Sequence, residues 1–235
     1  MQSPLYPSDL RYAPTLFWRA VAGSRVVRGA YGWMMRRLFG LQLQNQKLAP
    51  LPGPYIIAAN HGSHYDLFLG LAAFCNATGA WPVPVVWCGV AKIPIVGGFL
   101  KALPCVWVDH SQGEEADRVT VLREMIGHLR NGRYLLMACE GQRQDALGEF
   151  AQGAALAALH TGVAVVPVSL LGVQGLYDEM TRPRRFWGRV EIVIHAPLAP
   201  SAFERTNETR AETLARFTTA IREQVASQLD YSAKT

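Results

Sequence analysis

Carboxylates are nearly missing from the first 65 residues, where Asp9 alone faces Arg11, Arg19, Arg25, Arg28, Arg36, Arg37 and Lys47. That stretch carries +6 and the remainder −1, so the surplus behind the net charge of +5 sits at one end. Long apolar runs are missing as well. A spanning helix needs about 20 mostly apolar residues, and between positions 11 and 37 an arginine interrupts at least every eight. Crossing a bilayer there is excluded. The opening Met1-Gln2-Ser3-Pro4 shows no apolar core of the kind a secretory leader carries, which puts the chain on the cytosolic side as an expectation. Cysteine is sparse: Cys75, Cys88, Cys105 and Cys139 form no CxxC pair and are expected as buried thiols rather than disulfides or metal ligands. There is no H-x-H or H-E-x-x-H pair, no internal repeat and no low-complexity tract. With 235 residues, half of them apolar, the chain can bury the core of one α/β domain, with or without an appendage.

The basic end has its own pattern. Residues 16–40 read LFWRAVAGSRVVRGAYGWMMRRLFG. On a helix, Leu16, Ala20, Val27, Tyr31, Met34 and Leu38 share a face that Arg19, Arg25, Arg36 and Arg37 avoid, with Gly23-Ser24 as a break. This suits a segment lying in a membrane interface, with Phe17, Trp18, Trp33 and Met34 inserted and Arg36 and Arg37 meeting anionic head groups. The plainer alternative is a helix docked on the domain's own sheet. Nucleic acid is not the expected partner, because the arginines come with aliphatic bulk and no binding motif. The sequence divides at 1–48, an amphipathic helical segment, and 49–235, an α/β domain.

From residue 50 onward strand-like and helix-like runs alternate. Strands are expected at 55–60, 84–90, 105–109, 133–140, 164–170 and 189–195, and helices at 66–75, 95–102, 114–130, 150–161 and 207–229. Near-continuous apolar strands between helices imply a mainly parallel central sheet flanked by helices. In such sheets chemistry gathers beyond the strands' carboxyl ends. Those ends carry Asn60-His61, Lys92, Asp109-His110 and Glu140-Gly141-Gln142-Arg143.

The first of these ends is the richest. In Asn60-His61-Gly62-Ser63-His64-Tyr65-Asp66 a group that titrates near neutrality follows a buried strand, and a carboxylate five positions on can fold back on its imidazole. Such a pair can deprotonate an alcohol. The competing structural role for Asp66 is half of a capping box begun by Ser63, and His64 is the rival base. A metal-dependent hydrolase using His61, His64, Asp66 and Asp109 or His110 is a further reading.

The order of four blocks then carries more than any one of them. NHGSHYD, AKIPIVGGFLKALPCVWVDH, CEGQR and VVPVSL, within roughly residues 50–200, resemble in order and spacing the blocks of the lysophosphatidic acid acyltransferase family, the glycerophospholipid acyltransferases of the H-x4-D type. The resemblance implies that His61 is a general base and Asp66 its orienting partner, and that an acyl chain passes from a thioester to a glycerol hydroxyl. It implies further that Glu140, with Gly141 and Gln142 of the same block, holds the glycerol part of the acceptor, that Lys92 and Arg143 meet its phosphate, and that Pro167 shapes the donor site. The implied partners are acyl carrier protein or a coenzyme A thioester, a lysophospholipid and a membrane surface, with attachment to the cytoplasmic face as a peripheral or monotopic protein. No cofactor is implied, since a thioester is already an activated donor. One departure stands out: His110 occupies the place of a phosphate-facing arginine. A histidine gives one directed donor where arginine gives two, so an acceptor without a phosphomonoester, such as a lyso-aminolipid, is the alternative. A lipid-binding protein with a degenerate site is a more distant one.

Overall fold

The computed structural model describes residues 24–48, 53–63, 65–93, 96–109, 114–142, 146–173 and 189–229. Phe17, Trp18, His64, His110 and Arg143 lie outside these. Among the described residues the strands are β1 (Gln42–Gln44), β2 (Ile56–Ala59), β3 (Val83–Trp87), β4 (Val106–Val108), β5 (Leu135–Ala138), β6 (Val165–Leu171) and β7 (Glu191–Ile194). The helices are α1 (Arg25–Phe39), α2 (Asp66–Phe74), α3 (Val96–Ala102), α4 (Glu114–Arg130), α5 (Gly153–Thr161) and α6 (Arg210–Ala226). The seven strands form one sheet in the order β1-β7-β6-β2-β5-β3-β4, parallel throughout except for β7 against β6.

β2 is the middle of that order, and every one of its residues is buried. Its alternation assigns the two faces of the sheet. Ile57 and Ala59 point into a core made with α1 and α2, including Met35, Phe39, Leu69 and Phe74. Ile56 and Ala58 point the other way, into a core made with α4, α5 and α6, including Met125, Ala154, Phe217 and Ile221. Helices from the first half of the chain thus cover one face and those from the second half cover the other. Parallel strands shielded on both sides need unbroken apolar runs, which is the pattern the sequence carries.

α1 answers the choice left open by its sequence. Ser24 caps it through an Oγ that accepts from the Val27 amide at 3.4 Å, and Arg28, Gly32, Met35 and Phe39 are buried. Tyr31 anchors it: its hydroxyl donates to the Phe68 carbonyl at 3.0 Å, and its ring packs on Trp81 and Phe99. Val27 and Tyr31, read as part of the face turned to a membrane, instead pack against the core. The outward side shows Val26, Trp33, Met34 and Leu38, at 78, 67, 41 and 39 % exposure, among exposed Arg25, Arg36 and Arg37. The helix therefore covers its own sheet with one side and leaves an apolar, arginine-edged strip on the other. Just beyond it, β1 adds to the sheet beside β7, so residues before position 48 take part in the same fold.

Candidate active site

Because β2, β5, β3 and β4 run parallel, their carboxyl ends open on a single edge of the sheet. Asn60 makes the exit from β2 possible. Its side-chain amide donates to the Leu170 carbonyl at 3.1 Å and accepts from the Leu170 amide at 2.7 Å, which imitates one more ladder pair with β6. The backbone is thereby free to leave the sheet at His61.

His61 Nδ1 lies 3.0 Å from Asp66 Oδ2. The same oxygen accepts from the Gly62 amide at 2.7 Å and the Ser63 amide at 2.8 Å. The Ser63 bond is the one a capping box would supply, yet the carboxylate is also wired to the loop that carries the base. Asp66 opens α2, and its side chain is 4 % exposed against 25 % for His61. Burial pushes the Asp66 carboxyl above the usual carboxylate range, while the imidazole and the two amides pull it back down. Oδ1 has no hydrogen-bond partner among the described residues. With Nδ1 committed to the carboxylate, Nε2 is the nitrogen left for chemistry.

Glu140 follows β5, the neighbour of β2. One carboxylate oxygen accepts from the His61 backbone amide, and the other from the Gly148 amide at 2.7 Å. Burial raises its pKa, opposed by those two amides and by His61. Gly141, at a φ of 72°, makes the turn that lets the chain leave immediately after it. Gly141 and Gln142 are exposed. Lys92 is exposed too, at the end of a 3-10 turn spanning Cys88–Lys92 that continues β3. β5 lies between β2 and β3, so Lys92 follows a strand end two places along the same edge of the sheet from His61. Asp109 is buried at the end of β4.

The structure thus gathers His61, Asp66 and Glu140 by direct contact and sets Lys92 on the same edge. Sequence alone gives Asn60 only as the strand-end residue before His61, with no role of its own, and does not point to Gly148. Asn60 had a signal, a polar side chain ending an apolar strand, whereas Gly148 had none because it contributes only its backbone. All four cysteines are free thiols; Cys75 and Cys139 are buried, while Cys88 and Cys105 are half-buried. Among the described residues no group of three or more His, Cys, Asp or Glu side chains is placed to hold a metal ion.

An imidazole held by a buried carboxylate thus stands at the tip of a parallel sheet. Residues 40–171 match the Acyltransferase family, and the chain belongs to that family. Its relatives are more particular. The chain is 26 % identical over 178 residues to the chloroplastic 1-acyl-sn-glycerol-3-phosphate acyltransferase LPAT1 of Arabidopsis thaliana, covering 72 % of this chain and 46 % of that one. It is 24 % identical over 179 residues to the Mycoplasma genitalium protein named "Probable 1-acyl-sn-glycerol-3-phosphate acyltransferase", covering 75 % and 62 %. The chain therefore spans about half to three fifths of the length of these curated relatives. The fold is similar to the crystal structure of the 1-acyl-sn-glycerophosphate acyltransferase PlsC from Thermotoga maritima, with a TM-score of 0.62, 22 % identity and coverage of 96 % of this chain and 90 % of that one.

Proposed function

We propose that this protein transfers an acyl group from a thioester to the free hydroxyl of a lysophospholipid, foremost 1-acyl-glycerol-3-phosphate, with His61 as the general base. The observation that carries this is the 3.0 Å contact of His61 Nδ1 with a buried Asp66 carboxylate that also takes two amides of the same loop. Relatives named as 1-acyl-sn-glycerol-3-phosphate acyltransferases support the choice of acceptor.

Nε2 takes the proton of the acceptor hydroxyl as its oxygen attacks the thioester carbonyl. Asp66 holds the ring and stabilises the imidazolium. The tetrahedral intermediate then expels the thiolate, which recovers the proton from His61. A positioned base of this kind contributes about 10² to 10⁴-fold. Lys92, exposed on the same edge, serves the acceptor's phosphate. Either acyl carrier protein or coenzyme A fits as donor, since both carry negative charge that a basic surface attracts.

The outward strip of α1 gives such an enzyme access to its acceptor. Trp33 and Met34 enter the head-group region while Arg36 and Arg37 meet anionic lipids, and the protein works as a peripheral one. No helix among the described residues is long and apolar enough to cross a membrane.

The test is direct. The purified full chain receives a labelled acyl thioester and either lysophosphatidic acid or a phosphate-free lyso-aminolipid. Acylation of the first is expected, and His61→Ala is expected to lose about 10² to 10⁴-fold in turnover. Acylation of the aminolipid alone would change the acceptor, in keeping with His110. Full activity in His61→Ala would remove the base from the mechanism.

A further inference from the structure

α6 begins at Arg210, well past the residues that match the family, yet one of its side chains reaches the active-site loops. Arg222 Nε donates to the Gly148 carbonyl at 2.8 Å, and its Nη2 donates to the Leu147 carbonyl at 3.3 Å. The Leu147 carbonyl and the Gly148 amide belong to the same peptide unit. In a trans peptide these two groups point in opposite directions. A donor that fixes the carbonyl on one side therefore aims the amide the other way, and that amide donates to Glu140 at 2.7 Å. The remaining oxygen of Glu140 takes the backbone amide of His61.

We propose that Arg222 is a positioning residue for His61, acting through the 147–148 peptide and Glu140. This rests on the acyl-transfer reading, in which His61 is the base. Glu140 is the bracket in this chain. Both of its oxygens are taken by backbone amides from different loops, one after β2 and one after β5, so its first task is to fix where those loops stand relative to each other. Arg222 fixes the outer loop in turn. A guanidinium suits this because its rigid planar fork fixes the directions of its donors, holding two successive carbonyls in one geometry where an ammonium's donors rotate freely.

α6 is firm enough to serve as the anchor. Thr209 and Glu212 close a capping box at its start, and Thr213, Phe217, Ile221 and Val225 are buried along one side. Near its end the Ser169 hydroxyl donates to the Val225 carbonyl at 2.7 Å, tying the helix to β6. Arg222 sits between the buried Ile221 and that tie. Its partners among the described residues are both carbonyl oxygens, so its charge is spent on orienting a peptide.

Arg216 supplies the control. It lies on the same helix and bonds the Phe203 carbonyl and the Glu208 carboxylate, none of which belongs to the site. In the full chain Arg222→Met is expected to lower kcat about tenfold, with acceptor KM moving less, since misplacement by about 1 Å can cost up to about 100-fold. Arg222→Lys is expected to recover part of the loss, and Arg216→Met to lower Tm while keeping kcat. Combining Arg222→Met with Glu140→Gln should cost less in kcat than the two separate losses multiplied, because both act on one chain of contacts.

A kcat for Arg222→Met that stays at the wild-type value, or falls no further than that of Arg216→Met, overturns the proposal and leaves acyl transfer standing. Wild-type protein inactive toward every lyso acceptor, or a fully active His61→Ala, overturns the acyl-transfer reading instead. Should Arg222→Met not fold, Arg222→Lys and amide exchange in the wild type decide the matter. A Gly148 amide exchanging as slowly as those of α6 supports the anchor, and exchange at open-loop rates overturns it.

Discussion

At the scale of single residues, Asp66 couples activity to stability with opposite signs. A carboxyl raised by burial holds its proton more tightly in the folded chain than in the unfolded one, so its contribution favours folding at low pH and is lost as pH rises through the raised folded value. In its ionised form Asp66 is thus a cost to the fold that the imidazole and two amides only partly offset. Asp66→Asn is expected to reduce turnover about 10² to 10⁴-fold. Its Tm relative to wild type should rise as the pH is raised above the ordinary carboxylate range, because the wild type then loses the stabilisation carried by the protonated Asp66 while the amide does not titrate. A Tm difference that stays flat as the pH is raised, followed by circular dichroism, would mean that Asp66 is not shifted. The pair itself was legible because base and carboxylate sit on one short strand-to-helix turn. Glu140 and Arg222 were harder to read. Glu140 was placed at the right strand end, but its bond to a backbone amide 79 positions away leaves no mark in the sequence. Arg222 lies 74 positions beyond the glycine it holds and looks like any helix-surface cation.

At the scale of elements, the turn bearing Lys92 depends on a glycine in the next helix. A Cβ on Gly97 would stand 2.2 Å from the Ala91 carbonyl oxygen, and the Gly97 amide donates to the Ile93 carbonyl at 2.8 Å. Gly97→Ala must therefore shift α3 away from the 88–92 turn. The expected result is a several-fold higher KM for a phosphorylated acceptor with a smaller change in kcat, measured by steady-state kinetics. An unchanged KM would remove Lys92 from acceptor binding. For α1, replacing Arg36 and Arg37 by alanine should weaken binding to anionic vesicles by about fivefold each, since each such contact is worth about 1 kcal/mol. Equal binding in co-sedimentation would argue against an interfacial role. The strands from β2 to β7 were readable from apolar runs between turn residues. β1 was not, because Gln42-Leu43-Gln44 is a short polar edge whose strand character comes from pairing with β7. The end of the second expected strand, 88–90, is a 3-10 turn instead, where Gly89 lies under the Trp87 ring.

For the molecule as a whole, α1 cannot be treated as a removable anchor. Met35 and Phe39 belong to the core, and Tyr31 joins the helix to α2. Deleting residues 1–40 would expose that core, and burial of side chains of this size is worth about 2–5 kcal/mol each when lost. The deletion is expected to yield aggregated protein, whatever it does to lipid binding. A soluble, monomeric and active truncation in gel filtration would contradict this packing. Surface substitutions on the outward strip are the cleaner test of membrane attachment.

The His61 imidazole hangs from the strand with three neighbours to either side. Local fraying begins at edges and termini and reaches such a strand last. Heat should therefore end the proposed acyl transfer abruptly: residual activity and ellipticity ought to fall along one curve on warming, with no inactive yet folded species between them.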